Sequence, residues 1–538
     1  MITGKCIFLE CRYQLYGIMD IFCASHQSSF VQSLTFPVWG HKLNRSLSSF
    51  TQKTIILGPH HALMQKQSWR HCVVPRMGPL NQPGSRALLL LLVITALYLT
   101  YGYANFYRDP LSIFFSEKHG YDRFYSVTRH AEANAFLDAL EAQPNDVRSR
   151  LGKAGSDPEI CAIFLTTGRE MQGRQYVETA VGSFLANMSR AERTAIHLKL
   201  FFVGVPMPET EHKSYSSLVA ADVADDIVTY ASTLPAGEKS DKMAKLESWS
   251  NDRNKQAVEK KSVHDYAYAL NQCVQTTKAP YIALFEDDIL LADNWAASTL
   301  KHLHGIEQMM KDPGRHNPSR GRVAPGQPNS WLYLRMFNQE RSTGWGGGTG
   351  FRRNNVHIIS LAISIPLAAL LLISRRTLLP RSLARHIDTW TIIVICGIAV
   401  PLFVWLFFAS GKASLIGTSP GIYEEWFGCC NQALVYNREH AQALSNFLMD
   451  ATSKSGRAGR ADMLPKDFAF KHGLARISAY PMPVQHIGRI SATATTSDEA
   501  RKIWSMAFEN LESQSLARDH VRDVRELFGD DAARAMRG

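Results

Sequence analysis

Three consecutive acids, Glu286, Asp287 and Asp288, follow the apolar run YIALF (281–285) and form the motif with the clearest capacity for chemistry. Side chains alternate along an extended backbone, so Glu286 and Asp288 are expected on one face and Asp287 on the other. Two hard oxygen ligands at the rim of a sheet suit Mn²⁺ or Mg²⁺ bridging a diphosphate, where the cation would neutralise charge developing on a leaving nucleotide. An acidic turn closing a buried strand is spelled the same way, so the surroundings must decide. Four later carboxylates are candidates for taking a proton from an attacking hydroxyl: Glu424 and Glu425 in GIYEEWFGCC, and Asp462 and Asp467 in ADMLPKDFAF. Each also reads as a solvated surface charge, and the choice among them stays open.

Such a motif needs a strand to carry it and neighbours to frame it. ICAIFL (160–165) is a short apolar run ending at Thr166, Thr167 and Gly168, and a helix is expected from about Gln175 to Ala186. IHLKLFFVG (196–204) and DIVTYA (226–231) read as a second and third strand, 263–276 as a helix, and YIALF as the fourth strand. Strands alternating with helices predict an α/β domain with a largely parallel sheet covered on both faces and ligands beyond the carboxyl ends of its strands.

Three stretches are apolar and long enough to cross a bilayer: 87–106, 356–374 and 390–410. The loop between the last two carries Arg375, Arg376, Arg381 and Arg385, which places it in the cytosol, and Arg76 and Arg86 place the N-terminus on that side too. The expected order is a cytosolic segment (1–86), a signal-anchor span (87–106), a lumenal stem (107–157) and a first catalytic part (158–355). A hairpin of two spans joined by a cytosolic loop (375–389) follows, and then a second catalytic part with the tail (411–538). Short lumenal joints would hold the domain against the bilayer. Residues 1–76 show no sustained periodicity or cleavable signal peptide, and Met77 reads as a candidate start because MGPLNQPGSR leads directly into the first span.

Composition narrows the classes further. With 538 residues and 45% apolar content the chain can build a substantial core. Its formal charge of +11 is spread out and partly flanks apolar segments, without an aromatic-and-basic stripe or zinc spacing, so nucleic acid is not an expected partner. Cys161, Cys273, Cys429 and Cys430 fall in the lumenal parts and are able to pair, with the pairing open. The sequon Asn187-Met188-Ser189 falls on an expected helix. Trp345, Tyr423 and Trp426 suit either an acceptor pocket or interfacial anchoring.

The segment KSVHDYAYAL (261–270), then YIALFEDDI (281–289) and VQHIGRIS (484–491), resembles the GT-A glycosyltransferases related to N-acetylglucosaminyltransferase IV. The hairpin inside the catalytic domain is more specifically similar to the GPI-anchor N-acetylgalactosamine transferase family. The resemblance covers about residues 85–500. It implies a GT-A domain in the Golgi lumen, metal-dependent inverting transfer from UDP-GalNAc, and GPI-anchored proteins as acceptors at the bilayer. It also implies that Glu286, Asp287 and Asp288 hold the ribose and metal of the donor, and that Thr166, Thr167, Gly168 and Arg169 lie by the nucleotide. Arg169 would then suit phosphate through its fork. His486 becomes the later-chain ligand for Mn²⁺, with Gly488 permitting close backbone approach. Asp462, placed before the last shared block, becomes the leading base. Transfer of GlcNAc to N-glycans is the rival within the enzyme class, and a non-catalytic membrane adaptor the rival outside it. The hairpin argues against the first and the acid pair against the second.

Overall fold

The computed structural model describes residues 82–168, 173–205, 212–234, 237, 239–252, 254–311, 330–339, 344–345, 353–425, 430–454, 456, 458–489 and 497–536. Met77 and Arg169 lie outside the described residues. An eight-stranded sheet forms the centre in the order β3-β2-β1-β4-β8-β6-β9-β7. Its strands are β1 Ile160–Thr166, β2 Ile196–Phe202, β3 Asp226–Thr229, β4 Tyr281–Glu286, β6 Trp331–Arg335, β7 Gly421–Glu424, β8 Ala433–Asn437 and β9 Ala475–Tyr480. A two-stranded ladder, β5 Ile289–Leu291 with β10 Val484–His486, stands beside it.

The expected parallel arrangement holds for β3, β2, β1 and β4. Beyond β4 the sheet is mixed, because β8 runs antiparallel to both β4 and β6, and β7 antiparallel to β9. Strands that precede the hairpin (β4, β6) interleave with strands that follow it (β7, β8, β9), so both parts of the chain build one sheet. That expectation could not be drawn from local alternation, since the partners are distant in sequence.

The strands are apolar on both faces because both are covered. On one face Phe164 and Phe285 stack (5.0 Å), and Phe184 and Trp295 pack against them. These come from helix α2 (Tyr176–Leu185) and helix α4 (Trp295–Lys311). The other face meets helix α3 (Lys255–Thr276) and helix α5 (Arg438–Ser453). A disulfide joins Cys161 of β1 to Cys273 of α3, resolving two of the four cysteines left open above. Helix α2 begins with a capping box between Gln175 and Glu178, and ends at Leu185. The sequon therefore lies past the helix rather than on it: Asn187 is exposed with φ 65°, and Ser189 caps the next short helix.

The segment read as a stem is part of the same packed body. Helix α1 (Tyr125–Ala142) buries Arg129, whose guanidinium donates to the carbonyls of Leu291 (2.8 Å), Ser183 (2.7 Å) and Ala186 (3.0 Å) and pairs with Glu132. The C-terminal helix α6 (Ser513–Ala535) is fastened by His520, whose ring meets Glu192 (2.9 Å) and Asp293 (3.3 Å).

Three helices are long and apolar enough to cross a membrane: Pro83–Asn105, Val356–Leu378 and Thr389–Ala409. The first and third run side by side in the same direction, since Gly84 abuts Trp390 at one end and Tyr98 Oη bonds Ser410 Oγ (2.7 Å) at the other. The second is joined to the third by Ser364 Oγ donating to the Cys396 carbonyl (2.6 Å). Where the spans meet the sheet domain, Trp345 Nε1 donates to the Phe408 carbonyl (2.9 Å) and Asp109 accepts from Leu111 (2.9 Å) and Ser414 (3.1 Å) main chain. Trp345 thus belongs to the joint and not to a pocket.

Candidate functional site

The acids sit where β4 leaves the sheet, and each faces different company. Tyr266 of α3 donates its hydroxyl to Glu286 Oε1 (2.6 Å), while the Glu286 main-chain N–H donates to the Gln432 carbonyl (2.9 Å). Asp287 Oδ2 accepts from Thr166 Oγ1 (3.0 Å) and from the Thr167 N–H (3.1 Å) at the end of β1. Asp288 turns towards His486 of β10, with Oδ2 and Nε2 3.5 Å apart. Alternation along the chain correctly separates Asp287 from the other two.

Two histidines, His212 and His486, define the flanks. His212 Nδ1 accepts from the Ser214 N–H (3.2 Å), so Nε2 carries the proton and donates to Thr166 Oγ1 (2.8 Å). A chain His212–Thr166–Asp287 then fixes that carboxylate beside a depression lined by Thr167, Gln175, Tyr176, Val177 and His212. His486 Nδ1 donates to the Ile503 carbonyl (3.1 Å), which can only accept, and this leaves Nε2 turned to Asp288. Gly488 explains how they come so close: a Cβ there would collide with Asp288 Oδ2 and lie 2.8 Å from His486 Nε2. Burial first, then the Asp288 charge, pushes Glu286 up to about 7, against the opposing pull of Tyr266 and His486.

Of the four base candidates, only Asp462 lies near these acids. Its charge bears on Tyr266, and the preceding Ala461 carbonyl accepts from Asn431 Nδ2 (2.7 Å), whose own carbonyl accepts from Tyr266 (3.2 Å). Arg460 chelates Asp462 (3.0 and 2.5 Å). Glu424 is exposed at the end of β7 and Asp467 is exposed on the helix Leu464–His472. Glu425 is instead a buried structural anion, held by Arg335 Nε at 2.9 Å, with its side chain 4% exposed. The pair braces the chain that leads into Asn431 and Gln432, and so supports Glu286 from behind. Tyr423 donates to the Ser419 carbonyl (2.5 Å) on the surface, and Trp426 lies outside the described residues.

Sequence reasoning did not find His212, the Tyr266 hydroxyl or the support of His486 by residues 503–509. KSVHDYAYAL did hold a signal. Lys261 and Asp265, one turn apart, pair at 2.6 Å and Lys261 reaches the Val203 carbonyl beyond β2 (3.0 Å), which sets Tyr266 towards β4.

The sequence model of the GPI-N-acetylgalactosamine transferase PGAP4 family matches residues 160–484, more than half of the chain. The chain belongs to that family. The match runs from the first residue of β1 into β10, taking in the hairpin and all three acids, and stops just short of His486. Membership in the GPI-N-acetylgalactosamine transferase family makes this a transferase sequence with a bearing on GPI anchors. No curated protein matches the chain at a significant level.

Proposed function

We propose that the protein transfers N-acetylgalactosamine from UDP-GalNAc to the glycan of GPI anchors, using a GT-A domain held at the lumenal face of the Golgi membrane. The observation that carries this reading is the convergence of Asp288 Oδ2 and His486 Nε2, 3.5 Å apart, over a glycine. Asp288 and a neutral His486, brought together over a glycine, would fit a divalent cation such as Mn²⁺. When bound, it would offset the negative charge gathering on UDP as it departs.

The chain's own residues do the rest. Asp287, fixed by Thr166 and Thr167, is placed to accept from a ribose hydroxyl beside the depression. Asp462 takes the proton of the acceptor hydroxyl as its oxygen bonds to the sugar's anomeric carbon and the bond to UDP breaks, inverting that carbon. The Cys161–Cys273 disulfide supports an oxidising compartment for the sheet domain, and the parallel first and third spans support placing the arginine loop on the opposite side. Purified full-length protein in detergent, given UDP-sugars with a GPI-glycan acceptor, is expected to favour UDP-GalNAc in the presence of Mn²⁺ and to lose activity with chelator. No metal-dependent affinity for any UDP-sugar would end this reading.

A further inference from the structure

Arg123 and Arg489 lie on either side of the main-chain knot that supports His486. The Arg489 N–H donates to Tyr176 Oη (2.8 Å), and Tyr176 lines the depression beside Asp287. Next to Arg123, the N–H groups of Phe124 (2.7 Å) and Ser126 (3.1 Å) donate to Glu509 Oε2. Glu509 Oε1 accepts from Gln485 Nε2 (2.7 Å), the residue before His486, and Gln485 also exchanges hydrogen bonds with the Ser505 main chain (2.9 and 3.0 Å). Gln485 and Glu509 are fully buried. Three segments, 123–126, 485–489 and 505–509, are thereby tied together at the edge of the cation cradle.

Within this well-bonded knot the two guanidiniums are the exception. Among the described residues neither makes a hydrogen bond or an ion pair. Both oxygens of Glu509, the nearest acid acting on Arg123, already accept from the main chain and Gln485. Arg123 is half-buried, and its charged form is disfavoured first by that burial and then by Arg489, with Glu509 and Tyr176 only partly compensating. A structural arginine looks different here: Arg129, further along the same segment, has its guanidinium committed to three carbonyls and Glu132. Two like charges that act on one another in this way are stabilised by an anion, and paired planar forks suit phosphate oxygens.

We propose that Arg123 and Arg489 form an anion subsite that receives the diphosphate of the nucleotide-sugar donor alongside Asp288 and His486. The proposal rests on the donor reading above for the identity of the anion, but the site itself is defined by the arginines. It draws on both flanks of the family match, since Arg123 precedes it and Arg489 follows it. The phosphodiester of a GPI anchor carries the same chemistry and is the other source of such an anion.

Calorimetry on the full-length protein without divalent metal separates these sources, with UDP, uridine, inorganic pyrophosphate and glycerophosphoinositol as probes. Arg123→Gln and Arg489→Gln are each expected to weaken UDP and pyrophosphate about tenfold or more while leaving uridine unchanged, and Arg489→Lys to recover part of the loss. A misfolded variant would lose uridine as well, and Arg489, being exposed, is the substitution that spares the fold. Wild-type affinity for UDP and pyrophosphate in the double variant overturns the subsite while leaving the donor reading intact. Loss confined to glycerophosphoinositol overturns it in favour of the acceptor. Arginine-dependent pyrophosphate binding without UDP binding upholds the subsite, and wild-type protein that binds neither overturns it, while the donor reading stands or falls on UDP-sugar binding with Mn²⁺.

Discussion

The two halves of the central sheet reach similar burial by different routes. β3, β2, β1 and β4 come from the continuous stretch 160–286, run parallel, and are stapled by Cys161–Cys273. β8, β6, β9 and β7 are gathered from 331–480, run in both directions, and have the membrane hairpin between them. The first half provides the acids, the threonines and the depression. The second provides the brace behind Glu286 and the base candidate Asp462. A covalent link secures the half whose neighbours are close in sequence, and a buried ion pair, Arg335–Glu425, secures the half assembled across the hairpin. The difference teaches that the hairpin could enter this fold without disturbing the half that carries the acids, while the distal side had to be held by contacts that bridge it.

That division can be broken or sharpened experimentally. The largest effect is expected where the halves share the site: Gly488→Ala should lower metal-dependent donor binding about a hundredfold or more by forcing Asp288 and His486 apart, measured by titration calorimetry with Mn²⁺. In the distal half, Arg335→Met leaves Glu425 buried and uncompensated and should cost about 3–5 kcal/mol, whereas Arg335→Met with Glu425→Leu should recover most of it, read from denaturant unfolding. An equal loss in the double variant would show that the pair is more than a local brace. In the parallel half, Cys161→Ser should cost about 2–4 kcal/mol and expose α3 to proteolysis before α5.

A smaller effect is expected from pH. Burial opposes the charged form of His520, but Asp293 and Glu192 outweigh it and raise the ring to about 9. Because the folded value lies above the unfolded one, the stabilisation is complete below about pH 6.5 and is lost as pH rises through about 9. Between pH 6.5 and 8.5 stability should fall by about 2–3 kcal/mol, and His520→Gln should flatten that slope. Smallest of all, Asn187→Gln should leave stability unchanged yet abolish one endoglycosidase-sensitive mobility step. Absence of that step in the wild type would count against a lumenal face for the parallel half.

Legibility follows the same boundary. Strands β1 to β4 and two of the helices between them, Tyr176–Leu185 and Lys255–Thr276, are readable because each apolar run is local and bounded by its own turn, whereas the polar helix Lys239–Asn251 is not, and the alternation of Glu286, Asp287 and Asp288 needs only extended geometry. The mixed order β8-β6-β9-β7 was not readable, since a short run such as WLYLR (331–335) carries no mark of which distant strand it will meet. Glu425 looked like a free carboxylate because its partner, Arg335, lies on the far side of the hairpin in sequence. Gln485, Glu509 and His212 left no periodic trace, as their roles consist of single hydrogen bonds between remote segments. Asn187 reads as helical only by its closeness to the expected end at Ala186, since the left-handed turn that follows Leu185 leaves no mark in the pattern.

The interleaving of β8 between β4 and β6 has a consequence for biosynthesis. During translation β4 and β6 emerge long before β8 does, because two helices long and apolar enough to cross a membrane lie between β6 and β8 in the chain. Throughout that interval the nascent chain presents two unprotected β-edges that can find each other or a neighbouring molecule. A need for chaperones during synthesis, and sensitivity to anything that delays the hairpin, therefore follow from the strand order itself.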